Sequence, residues 1–297
     1  MDARRRQLMI GAAALALAPE ARAQIDTPWA GDKVIDCHHH VRADLAVNSA
    51  HVTGAGMTSA MPNAAVLEGD GSAARAIARQ LCRAQPDRFA GWLTSLVPTI
   101  AGEDARLTSD IRSGAKGFGE IKAKVAMDGP EMRRVYALAG ELDVPVLIHF
   151  DSDYDTGFER IEPVLKAFPA TRFVAHANAF WGNIDARYDG SPYPRGKITA
   201  GGLSDRLLTD YGNLFGDLSA YSGFNGLTRD PAFTPAFLER HQDKLIFGSD
   251  CPCTDGRGAG ARGCQARQTL GVLKANAADG VFRKMVWTNA HRVYRLS

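Results

Sequence analysis

Short apolar runs recur along the chain, and amphipathic stretches separate them. This alternation is typical of β/α units, and apolar runs without clean polar alternation indicate strands buried on both faces of a parallel sheet. The pattern predicts eight strands: Lys33–Cys37, Asn63–Leu67, Phe89–Val97, Ala115–Ile121, Val144–Phe150, Arg172–His176, Leu214–Leu218 and Lys244–Phe247. It predicts helices between them: Gly71–Ala84, Glu103–Ser113, Pro130–Leu142, Phe158–Phe168, Gly202–Tyr211, Thr234–His241 and Gln265–Ala275.

Eight strands with helices between them predict a single-domain α/β fold, a closed (β/α)8 TIM barrel, rather than an open sheet. The length of 297 residues suits such a barrel preceded by a short leader. Two connections, Ala179–Thr199 and Asp250–Gly263, are longer than usual for β/α units. Both follow strands, so we expect them over the mouth of the barrel.

The first 23 residues differ in kind from the rest of the chain. Arg4, Arg5 and Arg6 precede the apolar stretch 8–18, and Ala21-Arg22-Ala23 has the small-x-small pattern of a signal peptidase site. The stretch is too short to span a bilayer as an anchor. We expect a cleaved signal over 1–23 that resembles the twin-arginine type, export by the twin-arginine machinery, and a periplasmic or secreted domain over 24–297.

Charge and cysteine content narrow the class of protein further. The chain carries 35 Lys and Arg against 33 Asp and Glu, without a dense basic stripe, so nucleic acid is not an expected partner. No membrane anchor is expected once the signal is cleaved. The five cysteines include no CxxC pair, so neither a disulfide framework nor a zinc knuckle is indicated. Cys253 and Cys264 lie in one loop and are either a disulfide or two free thiols. The sequence leaves the oligomeric state open.

The histidines carry the strongest chemical signal. In the run Cys37-His38-His39-His40, strand alternation places His38 and His40 on one face and His39 on the other. Two imidazoles side by side at a strand end form a chelate for a divalent metal. The other histidines away from strand ends, His51, His241 and His291, are expected to be structural or exposed.

Further polar residues follow apolar strands downstream. His149 ends Val144–Ile148, His176 ends Arg172–Ala175, and Asp250 follows Leu245–Ser249. Each lies at the C-terminal end of a predicted strand, where barrel enzymes place their catalytic groups because the strand ends converge on one face. The sequence therefore predicts a polar, metal-binding centre at that face.

These segments resemble the amidohydrolase superfamily, in particular the amidohydrolase-related (amidohydrolase 2) branch of TIM-barrel metal-dependent hydrolases. The resemblance extends over residues 33–297. The segments that carry it are 35–40, 146–149, 173–176, 245–252, Gln85-Pro86-Asp87-Arg88-Phe89 and Asn289-Ala290-His291-Arg292-Val293-Tyr294.

The resemblance implies a set of metal ligands. His38, His40 and Asp250 hold one metal, and His149 and His176 hold a second metal or orient the substrate. Glu120 stands where the superfamily has a bridging glutamate or carboxylated lysine. Lys122, two residues on, is the alternative bridge if it is carbamylated; Glu120 is favoured because it needs no modification. The implied cofactor is one or two divalent cations per chain, with zinc favoured and manganese, iron or cobalt as alternatives.

The resemblance also implies a reaction. A metal ion activates water, Asp250 accepts the proton, and His176 or His149 polarises the electrophile if it is not a ligand. The expected substrate is a small molecule, namely a lactone, ester or amide of a small organic acid. Its candidate binding residues are Arg257 and Arg262 in the Gly-rich loop, Lys122, which with Lys124 suits an anionic group, and Trp181, which with Tyr188 and Tyr193 forms an apolar lid.

Two other functions stay open at this point. One is a metal-dependent decarboxylase of the same branch. The resemblance implies that such decarboxylases hold a single metal and have no acidic ligand on the fourth strand. The other is a non-catalytic periplasmic metal- or solute-binding protein. Glu120 argues against the first, and the presence of Asp250 as a base argues against the second.

Overall fold

The computed structural model describes residues 26–64, 71–258 and 263–296. Eight parallel strands pair in chain order from β1 to β8. They are β1 Ile35–His40, β2 Ser59–Ala64, β3 Trp92–Thr94, β4 Ala115–Ile121, β5 Pro145–His149, β6 Arg172–His176, β7 Leu214–Asp217 and β8 Leu245–Ile246. Backbone hydrogen bonds from Cys37 N to Phe247 O (3.1 Å) and from Asp250 N to His38 O (2.9 Å) join the end of β8 to β1. The sheet therefore curls into the predicted (β/α)8 barrel.

Helices surround the barrel. They are α1 Leu45–Gly54, α2 Ser72–Ala84, α3 Glu103–Arg112, α4 Pro130–Glu141, α5 Ile161–Ala167, α6 Asn178–Gly182, α7 Leu203–Asp210, α8 Ala220–Thr228, α9 Thr234–Arg240, α10 Gln265–Asn276, α11 Asp279–Arg283 and α12 Asn289–Tyr294. A 3₁₀ turn, Phe158–Arg160, precedes α5, and a π-helical turn, Lys284–Thr288, joins α11 to α12. No helix among the described residues is long and apolar enough to cross a membrane. The predicted signal over 1–23 lies outside the described residues.

Some element boundaries differ from the predictions. β2 begins at Ser59 rather than Asn63. All six of its residues are buried, but none is β-branched or aromatic, so the start of the strand has no β-propensity signal in the sequence. β3 is confined to Trp92–Thr94 within the longer predicted run. The sequence analysis also missed helices α1, α6, α8, α11 and α12. Two of them, α1 and α8, contain glycine and β-branched residues that weaken the helical pattern.

The barrel interior is layered. Apolar side chains from seven of the eight strands, among them Ile35, Leu93, Leu147 and Phe215, fill its lower part, and α12 packs against this layer. A larger apolar cluster lies between the sheet and the helices. Because the apolar layer fills the lower part of the barrel, the polar residues at the strand ends lie in its upper, C-terminal mouth.

Candidate active site

Six polar side chains gather at the C-terminal end of the barrel, and we call them the central cluster. They are His38, His40, Glu120, His149, His176 and Asp250. Glu120 lies in the middle: its carboxylate oxygens are 2.7 Å from His149 Nδ1, 3.3 Å from both His176 Nε2 and His40 Nε2, and 3.6 Å from His38 Nε2. Asp250 Oδ1 lies 3.0 Å from His40 Nε2. The structure thus brings together all six residues that the sequence analysis named as ligands.

Strand geometry explains the convergence. His149 and His176 end β5 and β6 and lie opposite each other in the parallel register. The side chain of His39 turns away, as alternation predicts: its Nε2 lies 3.1 Å from Asn48 Oδ1, and its ring packs against Phe89. The two faces of the first strand therefore serve different purposes, the inner one polar chemistry and the outer one packing.

Asp217, at the end of β7, orients two of the histidines. Its Oδ2 lies 2.6 Å from His38 Nδ1 and accepts a hydrogen bond from Ser219 Oγ at 2.8 Å. Ser219 Oγ in turn lies 2.8 Å from His176 Nδ1. With these Nδ1 atoms held as donors, His38 and His176 both present Nε2 to the centre.

His149 is held the other way round. Its Nε2 lies 2.9 Å from Asp151 Oδ2, so Nδ1 is the atom that faces Glu120. The sequence analysis missed both Asp151 and Asp217 as partners of the histidines. Asp217 carried a usable signal, because it ends an apolar strand just as the predicted ligands do.

The position of Asp250 depends on the segment around it. Asp36, buried in β1, accepts hydrogen bonds from Ser249 N at 2.8 Å and Ser249 Oγ at 2.5 Å. The backbone of Asp250 has a φ of +45°, a left-handed conformation that aspartate tolerates better than most residues. These contacts aim the Asp250 carboxylate at His40.

The charge balance of the cluster keeps its acids ionised. Burial alone would raise the pKa of Glu120, but the imidazoles of His149, His176 and His38 that face its carboxylate hold it well below its usual range. Burial is likewise outweighed at Asp250, whose pKa is lowered by its hydrogen bond with His40 and by the nearby His38. Burial lowers the pKa of His176 despite its contact with Glu120, which favours a neutral ring with a free lone pair.

The donor set fits a divalent cation. Among the described residues, Glu120 Oε2 and His176 Nε2 are buried without a hydrogen-bond partner, an arrangement that a bound ion would satisfy. Three overlapping triads bring their ligand atoms within 4.8 Å of one another: His38 with His40 and Glu120, His38 with His176 and Asp250, and Glu120 with His149 and His176. Imidazole and carboxylate donors suit zinc and manganese alike.

A cavity of about 720 Å³ opens beside the cluster, and Asp250 lies on its wall. Tyr193 from the connection 179–199 and Pro252 and Gly263 from the connection 250–263 also line it. Both long connections therefore border this cavity, as expected of segments over the barrel mouth. The rest of the lining is Ala220, Tyr221, Phe224, Gln265 and Gln268.

Of the predicted substrate-binding residues, Lys122 lies beside the central cluster and Arg257 does not line the cavity. Lys122 Nζ lies 3.2 Å from Glu120 Oε1, and Lys122 lines a second cavity of about 440 Å³ with Lys124. Arg257 is exposed and is not on the wall of the Asp250 cavity, and Arg262 lies outside the described residues.

Trp181 requires a correction. Its side chain is 2% exposed, packs against Phe180 and Phe237, and donates a hydrogen bond to the carbonyl oxygen of Asp217 at 3.0 Å. It belongs to the core behind β7 and cannot form a lid wall against a substrate.

Comparisons with known proteins agree with this architecture. The structure is similar to a probable 2-pyrone-4,6-dicarboxylic acid hydrolase from Acinetobacter baumannii with citric acid bound (TM-score 0.62, 13% identity, covering 89% of this chain and 100% of that chain). It is also similar to an amidohydrolase from Burkholderia multivorans with bound zinc (TM-score 0.55, 14% identity, 89% and 100% covered). A third similar structure is a 2,6-dihydroxybenzoate decarboxylase from Rhizobium (TM-score 0.53, 15% identity, 89% and 98% covered).

At such identities the likeness shows the fold. A search of curated proteins gave no match. The sequence model of the amidohydrolase family, however, matches residues 35–296, which is nearly the whole described barrel. The chain therefore belongs to the amidohydrolase family.

Proposed function

We propose that this protein is a metal-dependent hydrolase that acts on a lactone, ester or amide of a small organic acid. The observation that carries the proposal is the position of Glu120, whose carboxylate lies among four imidazoles and next to Asp250. A carboxylate in that position can bridge two cations, or complete the coordination of one. Lys122 forms an ion pair with Glu120, and its protonated amine has no lone pair to offer a metal. Glu120 is therefore the preferred bridging ligand.

The proposed ligands are the six residues of the central cluster. When bound there, a divalent cation would lower the pKa of water towards about 7 and polarise a carbonyl oxygen. The protein's own side chains transfer the proton, orient the metal-binding histidines and line the cavity through which a substrate reaches the centre. Asp217, Ser219 and Asp151 fix which ring nitrogen each of three histidines offers.

Asp250 is the proposed general base. Its side chain is 23% exposed and lines the cavity, whereas that of Glu120 is fully buried. The lowered pKa of Asp250, caused by its hydrogen bond with His40 and the charge of His38 in spite of burial, keeps it a carboxylate at neutral pH. It can therefore accept a proton from the attacking water and return it to the leaving group.

The cavity favours a small substrate with both apolar and polar parts. Tyr193, Tyr221 and Phe224 offer aromatic surface, and Gln265 and Gln268 offer amide groups. Lys122, whose pKa is raised by Glu120 and Asp250 against the effect of burial, supplies a positive charge at the second cavity. We propose that this ammonium attracts a substrate carboxylate.

Decarboxylation is the rival reaction within the same family. The Rhizobium neighbour is described as a 2,6-dihydroxybenzoate decarboxylase, and the Acinetobacter neighbour as a probable hydrolase of a dicarboxylic acid. The acidic Glu120 on β4 favours hydrolysis, since the decarboxylases that the sequence resembles lack an acid there.

Purified holoprotein, with its metal content measured, can be assayed on a panel of lactones, esters and amides, and on hydroxybenzoates with detection of released CO₂. We expect ring opening or acid release on the panel, and no CO₂. Release of CO₂ without hydrolysis of any panel member would replace the proposal with decarboxylation. Inertness of fully metal-loaded protein towards both sets would favour the binding-protein function.

We also propose that the protein is exported and that the segment 1–23 is removed. The arginines, the short apolar stretch and the small-x-small site support this proposal. The intact mass of protein from the exported fraction tests it. A chain that begins at Gln24 is expected, and an exported chain that still carries 1–23 contradicts cleavage.

A further inference from the structure

A second group of metal-ligating side chains lies outside the barrel mouth, and we call it the cysteine cluster. It consists of His51 in α1 and Cys251, Cys253 and Cys264 in the connection after β8. All four residues are buried, with exposures of 0%, 4%, 7% and 4%. Their ligand atoms lie within 4.8 Å of one another, and no disulfide joins the cysteines. The sequence spacing gave no sign of this group, because His51 comes from a distant helix.

The distances fit a tetrahedral metal site. Cys251 Sγ lies 3.4 Å from Cys253 Sγ and 3.8 Å from Cys264 Sγ. Zinc with Zn–S bonds of about 2.3 Å separates two tetrahedral sulfur ligands by about 3.8 Å. A disulfide would need sulfurs at about 2.05 Å, so the thiols are spaced as ligands of a common ion.

His51 provides an independent indication. Both of its ring nitrogens are buried and neither makes a hydrogen bond of normal geometry among the described residues; the polar groups that face the ring are the thiols of Cys251 and Cys253. Buried polar atoms are nearly always satisfied, so an imidazole in this state needs another partner. A metal ion among the three sulfurs would be that partner for one nitrogen.

We propose that His51, Cys251, Cys253 and Cys264 bind a structural zinc ion. Three thiolates and one imidazole form a complete tetrahedral set, which leaves no open position for water or substrate. The burial of all four residues agrees with a closed site. This zinc is separate from the central cluster, with which it shares no ligand.

The site would fasten the connection after β8 to α1. The two backbones already approach closely there: a Cβ on Gly54 would lie 1.7 Å from Asp255 O, and one on Gly256 would lie 2.1 Å from His51 O. Arg42 donates hydrogen bonds to the carbonyl oxygens of Cys251 and Cys253. Cys251 directly follows Asp250, so a metal here would also fix the segment that carries the proposed base.

X-ray absorption at the zinc edge of the holoprotein tests the proposal, together with a count of free thiols in the unfolded, chelated chain. We expect a sulfur shell at about 2.3 Å and all five thiols free. Zinc bound only through nitrogen and oxygen would overturn the proposal. A disulfide between two of the three clustered cysteines would do the same.

Matched variants locate the site. Cys253→Ser should lose one zinc per chain and the sulfur shell, whereas Cys82→Ser, which alters a half-buried thiol elsewhere, should keep both. Asp250→Asn should also keep the sulfur-bound zinc, so a failure of the proposed hydrolase would not be mistaken for a failure of this site. If Cys253→Ser does not fold, the spectrum of the wild-type protein still decides the question.

Discussion

The two clusters differ in donor chemistry and in access. The central cluster offers imidazole and carboxylate groups, and its His40 and Asp250 side chains are 26% and 23% exposed. The cysteine cluster offers mainly sulfur, and none of its residues is more than 7% exposed. Catalysis needs a position that substrate and water can reach, whereas a structural ion needs a full set of protein ligands. From this contrast we infer that the central cluster serves catalysis and that the cysteine cluster stabilises the fold.

Their places in the fold also differ. The central cluster stands on the ends of β1, β4, β5 and β6 and on the segment after β8, which the barrel holds rigidly. The cysteine cluster joins one helix to one long connection. A defect in the first should therefore change rate, and a defect in the second should first change stability and the order of the connection.

The largest expected effect is on rate, at Asp250. Asp250→Asn keeps the size of the side chain but removes the basicity that accepts a proton. Loss of a general base typically lowers the rate by about 10²–10⁴-fold. Steady-state kinetics on a hydrolysed panel substrate should show this loss with little change in thermal stability. Asp243→Asn, which alters an exposed carboxylate in the turn before β8, should hydrolyse like the wild type. Equal rates for both variants would contradict the role of Asp250.

A smaller effect on the same cluster is expected at Asp217. Asp217→Asn weakens the partner of His38 Nδ1 and disturbs the Ser219 contact that continues to His176. Removal of such a supporting group typically costs about 10–100-fold in metal affinity or activity. Metal titration should reveal weaker binding, and extra metal should restore part of the rate. An Asn variant with unchanged metal affinity would show that Asp217 does not position these ligands.

A glycine beside the cysteine cluster tests the contact between α1 and the connection after β8. Gly54→Ala would place a Cβ against Asp255 O, so α1 and the connection must move apart, at a cost of about 1–3 kcal/mol. Thermal unfolding should shift down, and the sulfur-bound zinc should be held less tightly. Gly271→Ala in α10 meets nothing within 4 Å and should instead stabilise the protein by about 0.5–1 kcal/mol. A neutral Gly54→Ala variant would mean that the contact between α1 and the connection is slack.

The smallest effect on catalysis is expected at His39. Burial lowers the pKa of His39 to about 3, so the ring is neutral and acts through packing. His39→Ala should cost about 1–3 kcal/mol of stability while the rate per folded molecule stays unchanged. Denaturant unfolding and kinetics on one preparation check both. An inactive but stable variant would show that the inner and outer faces of β1 have been assigned the wrong way round.

Much of the fold and of the central cluster could be predicted because local sequence encodes both. Apolar strands followed by His149, His176 and Asp250 place chemical groups at one end of a barrel whatever the loops do. Strand alternation likewise separated His39 from His38 and His40.

What the sequence did not reveal depends on contacts between distant segments. His51 meets the cysteines only because α1 packs on the connection after β8, and nothing in its neighbourhood in the chain signals this. Trp181 is a large aromatic residue in a long connection, as a lid residue would be, but its position behind Asp217 places it in the core. The predicted start of β2 was wrong because its buried residues lack the β-branched and aromatic side chains that usually indicate a strand.

The most direct test of the account is the dependence of hydrolysis on metal at the central cluster. Chelation should remove the nitrogen- and oxygen-bound metal, with the residual content measured by elemental analysis, and added Zn²⁺ or Mn²⁺ should then be titrated back. We predict that the hydrolytic rate falls with the lost metal and recovers in proportion to the metal regained. Full hydrolytic activity in protein that has lost the nitrogen- and oxygen-bound metal, whether or not the sulfur-bound zinc remains, would contradict the account.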